Sequence, residues 1–112
     1  MAYEPGDIFL ATIVFPDASG VKKRPVLVVY DSGDADLLVV PITSHPPRSS
    51  DDVALPDWQQ AGLRLPSTGR MSKLATIAKA SVTRKLGHLT QRDEQATRTT
   101  LHRFLQSIIG HG

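Results

Sequence analysis

Pro25-Val26-Leu27-Val28-Val29-Tyr30, then Asp31-Ser32-Gly33-Asp34, then Leu37-Leu38-Val39-Val40-Pro41-Ile42-Thr43 reads as two strands joined by a turn. β-Branched residues recur in both runs, with Tyr30 at the end of the first, as they do on a pleated surface that is at least half buried. Asp, Ser and Gly between them tolerate tight reversals of the backbone. Proline is accepted where a strand opens, so Pro25 predicts the beginning of one. The runs are too short and too close together to hold a crossover helix between them, which argues for antiparallel pairing.

The same pattern extends outward. Ile8-Phe9-Leu10-Ala11-Thr12-Ile13-Val14-Phe15 predicts an earlier strand, entered through Pro5-Gly6-Asp7 and ended by Pro16-Asp17. Asp17 to Arg24 is polar with one glycine and predicts a loop longer than a tight hairpin. Residues 44–52, with two prolines and several turn formers, predict a surface loop. Val53-Ala54-Leu55 is a short strand candidate, and Gln60-Ala61-Gly62-Leu63 predicts a turn back toward Leu65-Pro66-Ser67. Two more strands are expected, from Arg70 to Ile77 and from Ser81 to Leu86. The period then changes. Ala96, Leu101, Phe104, Leu105, Ile108 and Ile109 recur at three- and four-residue steps, a helical stripe. Thr90 with Asp93 resembles a capping box, and Gly110 is a natural stop. The expected architecture is mainly β with α: a small antiparallel β-barrel over about residues 5–89, closed by a C-terminal helix over about 91–109, in one domain spanning 1–112.

Composition excludes several functions. The 112 residues contain no cysteine, which removes disulfides, thiolate zinc sites and cysteine nucleophiles. With 40% hydrophobic and 21% charged residues, the chain is too apolar to be disordered. No apolar run approaches the roughly 20 residues of a membrane helix. The N-terminus has no signal-peptide pattern, so a soluble cytoplasmic protein is expected. The net charge of +2 hides an asymmetry: residues 1–57 hold four basic and nine acidic side chains, residues 58–112 nine basic and two acidic. A basic half favours an anionic partner, nucleic acid first and an acidic protein second, unless the fold interleaves the two halves.

Three segments carry a more specific signal. The first is Gly6-Asp7-Ile8, a strand, and then Lys23-Arg24-Pro25-Val26-Leu27-Val28-Val29. The second is Val39-Val40-Pro41-Ile42-Thr43-Ser44. The third runs through Gly62-Leu63, Pro66-Ser67, Arg70 and Lys73-Leu74 to Leu86-Gly87-His88-Leu89-Thr90 and the amphipathic segment. In this order and over nearly the whole chain, they resemble the PemK/MazF family, the toxins of type II toxin–antitoxin systems. The resemblance implies an SH3-like barrel with a C-terminal helix, a homodimer, and metal-independent cleavage of single-stranded RNA to 2′,3′-cyclic phosphate and 5′-hydroxyl ends. No cofactor is implied. The implied partners are the RNA and a cognate antitoxin whose acidic disordered tail folds across the basic groove. The family's arginine falls on Arg24 and its threonine on Thr43, with Ser44 beside it. Arg70 matches a basic position near the RNA groove.

These residue types suit the implied chemistry. Attack by a ribose 2′-hydroxyl builds negative charge on the phosphate, and a guanidinium presents a charged planar fork to its oxygens. A threonine hydroxyl can donate to another oxygen and orient the group for in-line displacement. Arginine surrenders a proton too reluctantly to be an obvious general base, so Arg24 is assigned first to charge stabilisation and only second to the proton transfer that the resemblance implies for it. Lys22, Lys23, Ser44, His45, Arg70 and Lys73 are the candidate RNA contacts. Each has a plainer reading: Arg24 as the solvated end of a basic triplet, Thr43 as a β-branched strand end, His45 as an exposed loop residue. His88, His102 and His111 have no metal-ligand spacing, so no metal is expected. Trp58 is a packing residue or an anchor for a base or partner. The chain departs from the family pattern in two places. The loop before Arg24 lacks the glutamate that some members carry, Asp17 being the nearest acid upstream, and Ser72 stands where many have an acid. Two other classes of function compete: a CcdB-like toxin that binds DNA gyrase on the same barrel, and a catalytically silent binding relative.

Overall fold

The computed structural model describes residues 2–15 and 20–110. Pro16 to Ser19, with the expected end of the first strand and Asp17, and His111 lie outside the described residues. Among the described residues, seven strands precede one helix: β1 (Asp7–Phe15), β2 (Gly20–Tyr30), β3 (Asp36–Thr43), β4 (Asp52–Leu55), β5 (Ser67–Arg70), β6 (Ala75–Ala78), β7 (Val82–His88) and α1 (Gln91–Ile109). Short 3-10 turns at Met71–Lys73 and Lys79–Ser81 separate β5, β6 and β7.

Every pairing is antiparallel. The path runs β4-β5-β3-β2-β1-β7, with β6 added on β3. β3 divides its length among three partners: β6 against residues 36–39, β2 against 38–41, and β5 against Ile42 and Thr43. The path ends at β4 and β7, which do not pair with each other among the described residues. The expected antiparallel sheet with one C-terminal helix forms, whereas closure into a barrel is not seen among the described residues.

β2 also departs from expectation. It begins at Gly20, within the segment expected to be a loop, and pairs with β1 continuously from Phe15↔Gly20 to Ile8↔Leu27. The apolar length of β1 supplies a template that the polar Lys22-Lys23-Arg24 run can follow. Pairing with β3 starts only at Val26, so Pro25 lies where β2 is still an edge on that side and its missing N–H is tolerated. The single strand expected from Arg70 to Ile77 is broken at Met71, whose fully buried side chain needs the 3-10 turn to reach the core.

Register explains why the strand runs are continuously apolar rather than alternating. Ile8, Leu27 and Val40 align across three strands and join one core with Leu55 and Met71. Phe9, Val26, Val28 and Val39 join a second core. Both faces of the central sheet are thus covered. Leu101 of α1 and half-buried Trp58 pack against the first core.

The cap expected at Thr90 forms: its Oγ1 accepts from the Asp93 N–H at 3.4 Å. The same hydroxyl donates to Asp57 at 2.7 Å, and Asp93 accepts from the Asp57 N–H at 2.9 Å, which latches the helix to the turn after β4. The stripe is covered less than its period suggests. Leu101 packs, but Leu105, Ile108 and Ile109 are 37%, 57% and 75% exposed.

Asp7 ties β1 to β7 and the helix. It is 2% exposed and accepts from the Glu4 N–H at 2.9 Å and from His88 Nδ1 at 2.8 Å, with Lys85 Nζ at 3.2 Å. Burial pushes its carboxyl up, but the bonds from His88, Glu4 and Lys85 outweigh this and hold it below the ordinary range. A depressed folded value means stabilisation that is complete above the unfolded value, about 3.9, and is lost as pH falls through the folded one. Asp7→Asn is therefore expected to lower the urea midpoint at pH 7, with the gap to wild type narrowing steadily below about pH 4. A gap that stays constant from pH 7 to pH 3 would contradict the ion-pair account.

Candidate nucleic-acid groove

A groove of about 1150 Å³ opens beside the end of β3. It brings together Arg24, Thr43, Ser44, His45, Arg70 and Lys73. Lys22 and Lys23 lie on exposed strand outside it. Two arginines not singled out from sequence, Arg64 and Arg84, complete a set of five cations among the described residues, and no described carboxylate lines the groove. Four of the five come from the basic second half of the chain, so the linear charge asymmetry survives folding here. The lining between the cations is aliphatic, with Ile42, Leu63, Leu65 and Leu86 prominent, and no described Phe, Tyr or Trp faces it.

Each side chain has a structural reason for its position. Arg24 is exposed on β2, opposite Ala11. Thr43 is the last residue of β3 and pairs with buried Thr68 of β5. Its Oγ1 accepts from the His45 N–H at 3.2 Å. That bond occupies a lone pair and leaves the hydroxyl proton to be donated elsewhere. Arg70 and Lys73 flank buried Met71, whose N–H donates to the Asp51 carbonyl at 3.0 Å. Arg70 Nε lies 3.5 Å from Asp52, and Asp52 also accepts from the Arg48 N–H at 2.9 Å. One carboxylate thus steadies both the groove wall and the base of the 44–51 loop. Arg103 of α1 donates to the Ser50 carbonyl at 2.6 Å from the other side.

Trp58 packs on the first core and does not reach the groove. Among the described residues, no three His, Asp or Glu side chains gather into a metal site, and no helix is long and apolar enough to cross a membrane. Arg64 and Arg84 escaped the sequence reading because neither stands in a recognisable motif. The only signal toward them was the excess positive charge after residue 57.

A cationic groove with hydroxyl donors and an apolar lining, on a small antiparallel sheet with one terminal helix, has the chemistry that suits an extended anionic ligand. The fold is shared with solved toxins. A mycobacterial endoribonuclease, in complex with its cognate antitoxin, aligns with a TM-score of 0.74 and 19% identity, covering 93% of this chain and 95% of the other. The Mycobacterium tuberculosis toxin MazF-mt6 aligns at 0.73 and 23%, covering 89% and 96%. A chain of a Deinococcus radiodurans MazE–MazF structure aligns at 0.72 and 16%, covering 94% and 96%. No protein of curated function matches the sequence. Residues 4–105 match the model of the PemK-like, MazF-like toxins of type II toxin–antitoxin systems, and the chain belongs to that family.

Proposed function

We propose that this toxin is a metal-independent endoribonuclease that cuts single-stranded mRNA at selected sequences, arresting translation and growth in the cytoplasm until an antitoxin neutralises it. The observation that carries the reading is the convergence of Arg24 and Thr43 in one groove with three further arginines and a lysine, Arg64, Arg70, Arg84 and Lys73. In the proposed step the 2′-oxygen attacks the adjacent phosphorus and loses its proton. The bond to the 5′-oxygen then breaks, and that oxygen takes up a proton. The products are a 2′,3′-cyclic phosphate and a 5′-hydroxyl. Arg24 neutralises the charge that grows on the phosphate oxygens, where a preorganised donor contributes most. Thr43 donates its hydroxyl proton to a second oxygen and holds the phosphate in line.

The family relationship and the fold it shares with toxins solved beside antitoxins support an antitoxin partner, and a basic groove suits an acidic tail that folds on binding. The uncovered apolar end of α1 supports assembly as a homodimer. The test is incubation of purified, antitoxin-free protein with a long unstructured RNA in EDTA, followed by mapping of the ends. Recurrent cut sites with cyclic-phosphate ends support the reading. Intact RNA across many sequences, from a folded protein, overturns it in favour of a protein target such as gyrase.

A further inference from the structure

Gly62 and Gly87 bring two distant segments into backbone contact. A Cβ on Gly62 would stand 2.0 Å from the Leu86 carbonyl oxygen, and one on Gly87 would stand 2.1 Å from the Ala61 carbonyl oxygen. The 61–62 turn therefore lies directly on the end of β7, with Arg64 two residues beyond the contact in one direction and Arg84 two residues before Leu86 in the other. Both arginines line the groove.

β7 is shaped to deliver Arg84 there. Its register with β1 skips at two points, leaving Leu86 and Thr83 as extra residues on either side of Lys85 and Arg84. Such bulges redirect side chains. Lys85 goes to buried Asp7 at 3.2 Å, whereas Arg84 goes to the groove and pairs across β1 through Leu10 to Pro25, the neighbour of Arg24. Two strand spacings of about 4.8 Å separate the backbones of Arg84 and Pro25, a gap that long arginine side chains can narrow toward neighbouring phosphates of one strand.

Neutralisation differs as well. Lys79, Lys85, Arg92 and Arg98 each meet a carboxylate. Among the described residues, neither Arg64 nor Arg84 does. Two guanidinium groups that line one groove, neither of them paired with a described carboxylate, favour an anion in the space they share.

We propose that Arg64 and Arg84 form a second phosphate clamp, which holds the RNA strand at a phosphate flanking the scissile one. The clamp rests on the ribonuclease reading and makes the substrate an oligonucleotide with phosphate on more than one side of the cut. Arg64 and Arg84 bind and align the strand; the reacting phosphate is met by Arg24 and Thr43.

The test compares wild type with Arg64→Gln, Arg84→Gln and the Lys versions of both. Binding to a 2′-O-methyl RNA, which cannot be cut, is followed by fluorescence anisotropy against salt, and cleavage kinetics are measured on the matching RNA. Each Gln substitution is expected to weaken binding about tenfold and to lower the slope of log affinity against log salt by about 0.7. The Lys versions are expected to keep the slope. KM is expected to rise more than kcat falls, and the penalty to shrink on substrates trimmed to the scissile phosphate. If both Gln variants keep wild-type affinity and slope while Arg24→Ala abolishes cleavage, the clamp is refuted and the ribonuclease stands. If wild type neither binds nor cuts RNA, both fall.

Discussion

Replacing Arg24 by alanine is expected to slow RNA cleavage by about 10³-fold, with little change in stability. Arg24 is exposed, near the start of β2, and lies outside both cores, so truncation removes no packed volume. Exposed substitutions of this kind usually shift stability by less than about 0.5 kcal/mol. The loss should therefore fall on the rate, since the guanidinium is needed most where the phosphate gains charge. Arg24→Lys separates charge from geometry. An ammonium keeps the charge but not the planar fork, so activity between that of wild type and alanine is expected. Thr43→Val, which keeps shape and strand propensity, is expected to lose about 10- to 100-fold through its missing hydroxyl. Single-turnover rates at saturating protein measure each loss directly. Cleavage by Arg24→Ala within tenfold of wild type would remove Arg24 from the reaction.

How much of this was legible beforehand depended on whether the relevant contact was local. The hairpin from Pro25 to Thr43 was readable because both faces of the central sheet are buried, which writes continuous apolar runs into the chain. The start of β2 was not, because Gly20 to Arg24 is polar and becomes strand only by following β1. Closure of the barrel was expected from strand content, but closure requires the two end strands to meet, and β3 diverts part of its length to β5 and β6 instead. The helix period was visible, whereas its cover was not. Periodicity shows which side chains share a face, and Leu105, Ile108 and Ile109 share one that their own chain leaves open. The groove divides in the same way. Arg24 and Thr43 stand in segments whose order resembles a known family, but Arg64 and Arg84 meet the groove through a contact between residues some 25 positions apart in sequence.

That contact gives the largest expected effect on stability. Gly87→Ala is expected to destabilise the fold by about 4 kcal/mol or more, and Gly62→Ala by at least as much. The atoms in the way are backbone carbonyls, at 2.1 Å and 2.0 Å from the new Cβ, and they cannot swing aside as a side-chain tip would. Relief requires the 61–62 turn to lift off β7, which would strip cover from Ala61 and Leu63, both buried in the first core. Gly62 adds a second cost, since its φ of +89° disfavours any side chain. Gly33 isolates that second cost: its φ is +92°, but a Cβ there meets nothing within 4 Å. Gly33→Ala should lose only the about 1–2 kcal/mol of a left-handed alanine. Urea unfolding of the three variants, compared at constant m, separates the contributions. The clamp makes a further demand on the partly destabilised proteins. At temperatures where Gly87→Ala stays folded, a lifted turn carries Arg64 away from Arg84, so the salt dependence of RNA binding should flatten, as is expected for Arg64→Gln. Equal stability of Gly87→Ala and Gly33→Ala would mean that the turn and β7 do not touch in solution, and the structural basis of the second clamp would go with it.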